Sequence, residues 1–308
     1  MTHSHHGTHH HDAHGHGATT RMFAAATLLN LAYTALEAGY GFLTNSLALL
    51  SDALHNLGDV LGLGLAWTAA ALARRAPTAR HTYGWRRATL LSPLANALLL
   101  IGFSGALLWE AVRRFGDPPN IPAMPVIVVA AIGIGINLLS AWWLHGGHAH
   151  DLNKRGAYLH LLADAAVSLA AVVAGIGMLT LGWWWLDPLT GLLVGLVIAV
   201  GTWGLLRDSF DAAMDAVPAH IDQAAVAGFL ARQPGVTAIH HLHIWPLGAG
   251  QVALTAHLVR PEGEDDDAFI DATARVLDRE FGIDHATLQI ERSADCGHGE
   301  HGAGPHQH

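Results

Sequence analysis

Apolar runs long enough to cross a bilayer core, about 20 residues each, recur six times along the first two thirds of the chain. They cover roughly Met22 to Leu43, Ser46 to Ala73, Ala88 to Val112, Pro122 to Leu144, Lys154 to Leu181 and Trp185 to Leu206. Beyond Leu206 the pattern shortens and becomes polar on alternate positions. Ile221 to Gln233 has the spacing of an amphipathic helix, and Val236 to Pro246 and Gln251 to Val259 alternate as strands do. PLGAG between those strands is a turn signal. Asp265 to Phe281 reads as a helix whose acidic first turn suits the helix dipole, and His285 to Glu291 as a last strand. The order αββαβ predicts a small α+β domain of ferredoxin-like or metallochaperone-like kind, with helices on one face of a sheet. The expected fold class is therefore an α-helical membrane protein of six transmembrane helices followed by a C-terminal α+β cytoplasmic domain.

Composition agrees with that division. The chain has 308 residues, 51% hydrophobic and only 13% charged, which is poor in charge for a soluble protein. The expected organisation is a His-rich N-terminus over 1–20, a six-helix domain over 21–207, a cytoplasmic αββαβ domain over 208–295 and a Gly/His-rich tail over 296–308. The first seventeen residues carry eight histidines and no apolar stretch. They resemble neither a secretory leader nor a segment that folds, and suit weak collection of metal ions. The short HGGHAHD between the fourth and fifth spans adds His145, His148 and His150. The formal net charge of -9 without a basic stripe argues against nucleic acid as a partner. Cys296 is the only cysteine, so no intrachain disulfide forms.

Lysine and arginine in the short loops set orientation. With a cytoplasmic N-terminus, the inner segments hold Arg21, Arg74, Arg75, Arg80, Arg86, Arg87, Lys154, Arg155 and Arg207, and the outer ones only Arg113 and Arg114. Both termini are expected in the cytoplasm of a multi-pass protein, with a bacterial inner membrane as the compartment.

The chemistry lies in the polar residues that interrupt the apolar runs. ALHNLGDV places His55 and Asp59 four residues apart, and LHLLADA repeats the device with His160 and Asp164. On a helix each pair shares one face. Ionisable side chains inside a bilayer are costly and usually face a bundle interior. Two imidazoles and two carboxylates suit a four-coordinate Zn²⁺. The plainer alternative is polar glue between helices, but the repetition in two separate spans favours a metal site. Histidine titrates near pH 6.5, so protons compete with metal for the same ligands. Asp52, one turn before His55, reads as a supporting residue. Asn30, Glu37 and Asn137 line the path or tie helices together, and Gly133 and Gly135 read as close-packing positions.

SLALLSDALHNLGDV, HTYGWRRATLL, HHLHIWPLG and HATLQIE, together with the paired HxxxD motifs, resemble the cation diffusion facilitator family over Arg21 to Glu291. The resemblance implies a homodimer joined through its cytoplasmic domains, and export of divalent metal in exchange for protons by alternating access. His55, where other members have aspartate, is similar to the zinc-preferring subgroup. A nitrogen ligand in place of a carboxylate also disfavours hard, oxygen-seeking ions. The resemblance further implies a second metal site at His240, His257 and Glu291, completed by Cys296, His298 or an N-terminal histidine. The single cysteine departs from members with a CxxC pair. Against this stands the reading of His240, His241 and His243 as ordinary polar residues of a half-exposed strand. Strand alternation puts His241 on the face opposite His240.

The expected function is a secondary transporter exporting Zn²⁺, with Cd²⁺, Co²⁺ and Ni²⁺ as further substrates, and not an enzyme. A zinc hydrolase needs an open coordination position and a nearby general base; four protein ligands close the site and no HExxH occurs. A zinc sensor or storage protein without flux, and a zinc channel, are the alternatives.

Overall fold

The computed structural model describes residues 14–145 and 152–293. Six long helices come first: α1 (His14–Thr44), α2 (Leu47–Ala73), α3 (Ala88–Arg114), α4 (Ala123–His145), α5 (Leu152–Leu181) and α6 (Leu186–Ala213). Among the described residues, α2 to α6 each hold a stretch long and apolar enough to cross a membrane. α1, at 31 residues, also exceeds that length. It reaches back to His14 rather than starting at Met22. α6 runs on to Ala213, where Arg207 and Asp211 form an i,i+4 pair on a turn too polar for lipid. Large apolar side chains face outward along these helices, Leu43 at 83% exposure and Phe42 at 76%. In water such a surface would be an interaction liability; in a bilayer it is the solvated face.

The chain divides into two compact units. One comprises Met1–Leu63 and Asn96–Trp203, the other Gly64–Ala95 and Gly204–His308. In the first, Tyr33, Val126, Val129, Ala130, Ala171 and Met178 from α1, α4 and α5 form one core with Ala48 and Leu49 of α2. Leu47, Leu107 and Ala111 form another, with Leu192 packed on it. Gly133 belongs to the first core: a Cβ there would fall on the Tyr33 hydroxyl, so close packing demands glycine. Gly135 does not follow the same rule, because a Cβ there would meet nothing within 4 Å.

The start of α2 is held from a distance. Asp187, wholly buried near the start of α6, accepts hydrogen bonds from Ser46 Oγ (2.5 Å), Leu47 N (2.8 Å) and Ala48 N (3.2 Å). A helix N-terminus leaves backbone N–H groups unpaired, and here a carboxylate from another helix satisfies them. Nothing in the local sequence of α2 signals this cap.

In the second unit, α7 (Gln223–Ala231), β1 (Ala238–Gly248), β2 (Gln251–Val259), α8 (Asp266–Phe281) and β3 (His285–Glu291) follow in order. The sheet order is β1-β2-β3, with β1 and β2 antiparallel and β2 and β3 parallel. Asp222 and Asp265 cap the two helices through their side chains, and Gly282 ends α8 at φ 67, a left-handed position natural for glycine. Val226, Leu230 and Leu277 of the helices pack on Ile244, Leu254, Ala256, Leu258 and Leu288 of the sheet. The opposite face of the sheet stays open to polar side chains.

The segment after α2 lies against the β1–β2 turn within this unit. Arg86 hydrogen-bonds Gln251, Ala249 N donates to Thr89 Oγ1 at 2.7 Å, and Arg87 pairs with Asp215 at 2.5 Å. Gly248 sits at φ 100, and a Cβ there would collide with the Arg86 carbonyl. Gly248→Ala is therefore expected to destabilise this contact by about 1–3 kcal/mol. Limited trypsin digestion checks it: cleavage at Arg80, Arg86 and Arg87 accelerates in the variant and stays at the wild-type rate if the turn tolerates a side chain.

Candidate metal centres

The two HxxxD motifs come together. His55 and Asp59 project from α2, His160 and Asp164 from α5, and the four polar groups alternate around a small quadrilateral. His160 Nε2 lies 3.0 Å from Asp59 Oδ2 and 3.6 Å from Asp164 Oδ2. His55 Nε2 lies 3.5 Å from Asp164 Oδ1 and 4.0 Å from Asp59 Oδ2. Ligand atoms at Zn–N and Zn–O distances near 2.0–2.2 Å stand about 3.3 Å apart in a tetrahedron. The observed sides bracket that spacing. Atoms of His55, His160 and Asp164 all lie within 4.8 Å of one another, and Asp59, which approaches both imidazoles, falls outside that group.

The helices run past each other so that the pairs form rungs. Asp59 and His160 make the rung nearest the Ala73 end of α2, their side chains 40% and 46% exposed. His55 and Asp164 make the next, at 27% and 2%. One turn further, Ser168 Oγ donates to Asp52 Oδ2 at 2.9 Å. Asp52 thus joins α2 to α5 beside the quadrilateral through Ser168. Access is graded, open at the first rung and closed at the third.

Among the other polar residues of the spans, Glu37 ties α1 to α2. Glu37 is fully buried; Tyr33 Oη donates to it at 2.8 Å and Asn56 Nδ2 at 3.5 Å. Asn137 is buried. Asn30 Oδ1 and Asp52 Oδ1 are buried without a hydrogen-bond partner among the described residues. Asp187 is the residue that sequence reasoning missed in this domain.

On the open face of the sheet, His240 stands directly across from His257. Glu291 at the end of β3 reaches both: its Oε2 is 2.9 Å from His240 Nε2 and its Oε1 is 2.8 Å from His257 Nδ1. These three offer ligand atoms within 4.8 Å of one another. His241 departs from expectation. The register passes from His240↔His257 to His243↔Thr255, so β1 carries one extra residue, a β-bulge. His241 occupies it at φ 51, and Leu242 turns to the core instead. The bulge keeps His241 off the helix-covered face; its ring lies 5.2 Å from that of His240 and 5.1 Å from that of His257. A positive φ without glycine costs on the order of 1–3 kcal/mol and concentrates at functional sites. Cys296, His298, His148, His150 and the histidines before His14 lie outside the described residues, as does the side chain of His145.

Two family profiles match the chain, the cation efflux transmembrane domain over residues 23–212 and the cation efflux protein cytoplasmic domain over residues 218–293. The zinc transporter ZitB of Escherichia coli (strain K12) is 35% identical over 100% of this chain and 99% of its own length. The cadmium, cobalt and zinc/H(+)-K(+) antiporter of Bacillus subtilis (strain 168) is 34% identical, covering 91% of this chain and 92% of its own. The metal cation efflux system protein CzcD of Cupriavidus metallidurans is 36% identical, covering 91% and 89%. The paired motifs on two helices, the α+β domain that follows them in sequence and matches spanning the whole chain lead to one assignment: the chain is a multi-pass membrane protein of the cation efflux family of transporters, the cation diffusion facilitators.

Proposed function

We propose that the protein exports Zn²⁺ from the cytoplasm in exchange for protons, with His55, Asp59, His160 and Asp164 as the ligands of the transported ion. The observation that carries this reading is the alternating quadrilateral of two imidazoles and two carboxylates with sides of 3.0–4.0 Å. Mixed N/O ligands suit Zn²⁺, and the names of the relatives, a zinc transporter and a cadmium, cobalt and zinc/H(+)-K(+) antiporter among them, support it. Cd²⁺, Co²⁺ and Ni²⁺ are the further substrates to test.

Zn²⁺ enters at the exposed rung of Asp59 and His160, displaces protons, and is enclosed between the four ligands. The helices then rock and the site opens outward. Protons from that side compete the metal away, because they and the ion need the same lone pairs. The protonated site returns. The residues bind, orient and release; no bond of a substrate is made or broken, and the protein is not an enzyme. His240, His257 and Glu291 hold a second, resident ion in the cytoplasmic domain, where it steadies a homodimer. Both termini face the cytoplasm of a bacterial inner membrane.

Zinc uptake into sealed proteoliposomes with an internal zinc dye tests the reading. An imposed pH gradient accelerates flux in the wild type, and Asp59→Ala removes it. Zinc binding without flux makes the protein a sensor, and flux indifferent to the gradient makes it a channel.

A further inference from the structure

His240 and His257 have a third imidazole beside them. The ring centres of His240, His241 and His257 stand 5.2, 5.1 and 5.1 Å apart, close to an equilateral triangle. Three imidazoles on one tetrahedral ion, each with its nitrogen about 2.0–2.1 Å away, have ring centres separated by about 5 Å. Glu291 holds its carboxylate against two of the rings. The bulge that sets His241 at φ 51 is what makes the third corner available.

We infer that His241 is the fourth ligand of the cytoplasmic-domain site, which takes a Zn²⁺-class divalent cation as three nitrogens and one oxygen from a single chain. This rests on the reading of His240, His257 and Glu291 as metal ligands. Four protein ligands make a closed site of the structural kind. On this assignment the fourth ligand is His241 rather than Cys296 or a histidine from a terminal segment. His241 is exposed while the other three ligands are partly buried, and its ring nitrogens stand outside the group of ligand atoms within 4.8 Å that His240, His257 and Glu291 form, so its ring has to turn inward to complete the site. It is therefore the outermost ligand, the one that closes over a bound ion.

Cobalt(II) on the purified full-length protein tests this, because a thiolate ligand gives sulfur-to-cobalt charge-transfer absorption that imidazole does not. Cys296 is the only native thiol, so a Cys296→Ser background is silent. In that background His241→Cys is expected to gain the charge-transfer band, and His257→Ala to remove it. His241→Asn keeps the left-handed backbone, which asparagine tolerates. It is expected to weaken the His257-dependent cobalt binding roughly tenfold or more. Binding that depends on His257 but shows no band in His241→Cys overturns the inference and leaves the three-residue site standing. A band in the wild type that Cys296→Ser abolishes gives the fourth position to Cys296 instead. Cobalt binding indifferent to His257→Ala removes the three-residue reading, and His241 with it.

Discussion

Replacing Asp164 by asparagine is expected to cut gradient-driven zinc flux roughly 100-fold or more, since even outer partners of a metal ligand are worth 10–100-fold. Asp164 is 1% exposed and faces both imidazoles of the quadrilateral, Oδ1 toward His55 and Oδ2 toward His160. No other member of the quadrilateral combines that burial with contacts on both sides. Asparagine keeps the volume and one oxygen but removes the charge that offsets the dication. It also puts two N–H donors where an acceptor stood. The substitution leaves the helix packing intact, so thermal unfolding of the purified variant should stay near that of the wild type while transport is lost. Flux at the wild-type rate in Asp164→Asn would remove Asp164 from the site.

Asp187→Ala is expected to act on the fold instead, destabilising it by roughly 2–5 kcal/mol, because each buried donor left unpaired costs about 1–3 kcal/mol. Three donors converge on that carboxylate: one hydroxyl and two backbone N–H groups of the start of α2. The apolar surroundings supply no replacement, with Leu47, Ala48 and Leu49 all nearly inaccessible. Asp187→Asn retains one acceptor oxygen and should fall between. Titration of the purified protein with a denaturing detergent reads the order wild type, Asn, Ala. Equal stability in all three would mean that other groups satisfy the α2 terminus.

What the sequence discloses depends on the range over which the cause acts. The spans are legible because the bilayer imposes a length and a composition that each helix meets alone. α4 occupies Ala123–His145 where Pro122 to Leu144 is apolar. β2 and β3 follow alternation and end where it ends. The paired HxxxD motifs are legible for the same reason: a four-residue spacing is a local statement that two side chains share a face. The meeting of His55 with Asp164 is an inference from repetition, and the structure brings the two together at 3.5 Å. The cap on α2 was not legible, since Asp187 lies about 140 residues from the groups it binds. Nor was the bulge at His241. HHLHIW contains no glycine to mark a left-handed residue, and strict alternation gave the wrong face. The extension of α6 was hidden by a change of solvent, because its last turns leave the apolar pattern without leaving the helix.

The cap also bears on how α2 would turn in the rocking proposed for transport. Pinned at Leu47 and Ala48 by Asp187 and lodged there among the buried side chains of both cores, the helix has its fulcrum at that end. At 1.5 Å per residue, Asp59 sits at the tip of a lever about 18 Å long, so a swing of about 10° carries it about 3 Å. Asp52, less than half as far out, travels about 1 Å. A swing about that end would part the three rungs like the blades of scissors, widest at Asp59 and His160 and least where Ser168 holds Asp52.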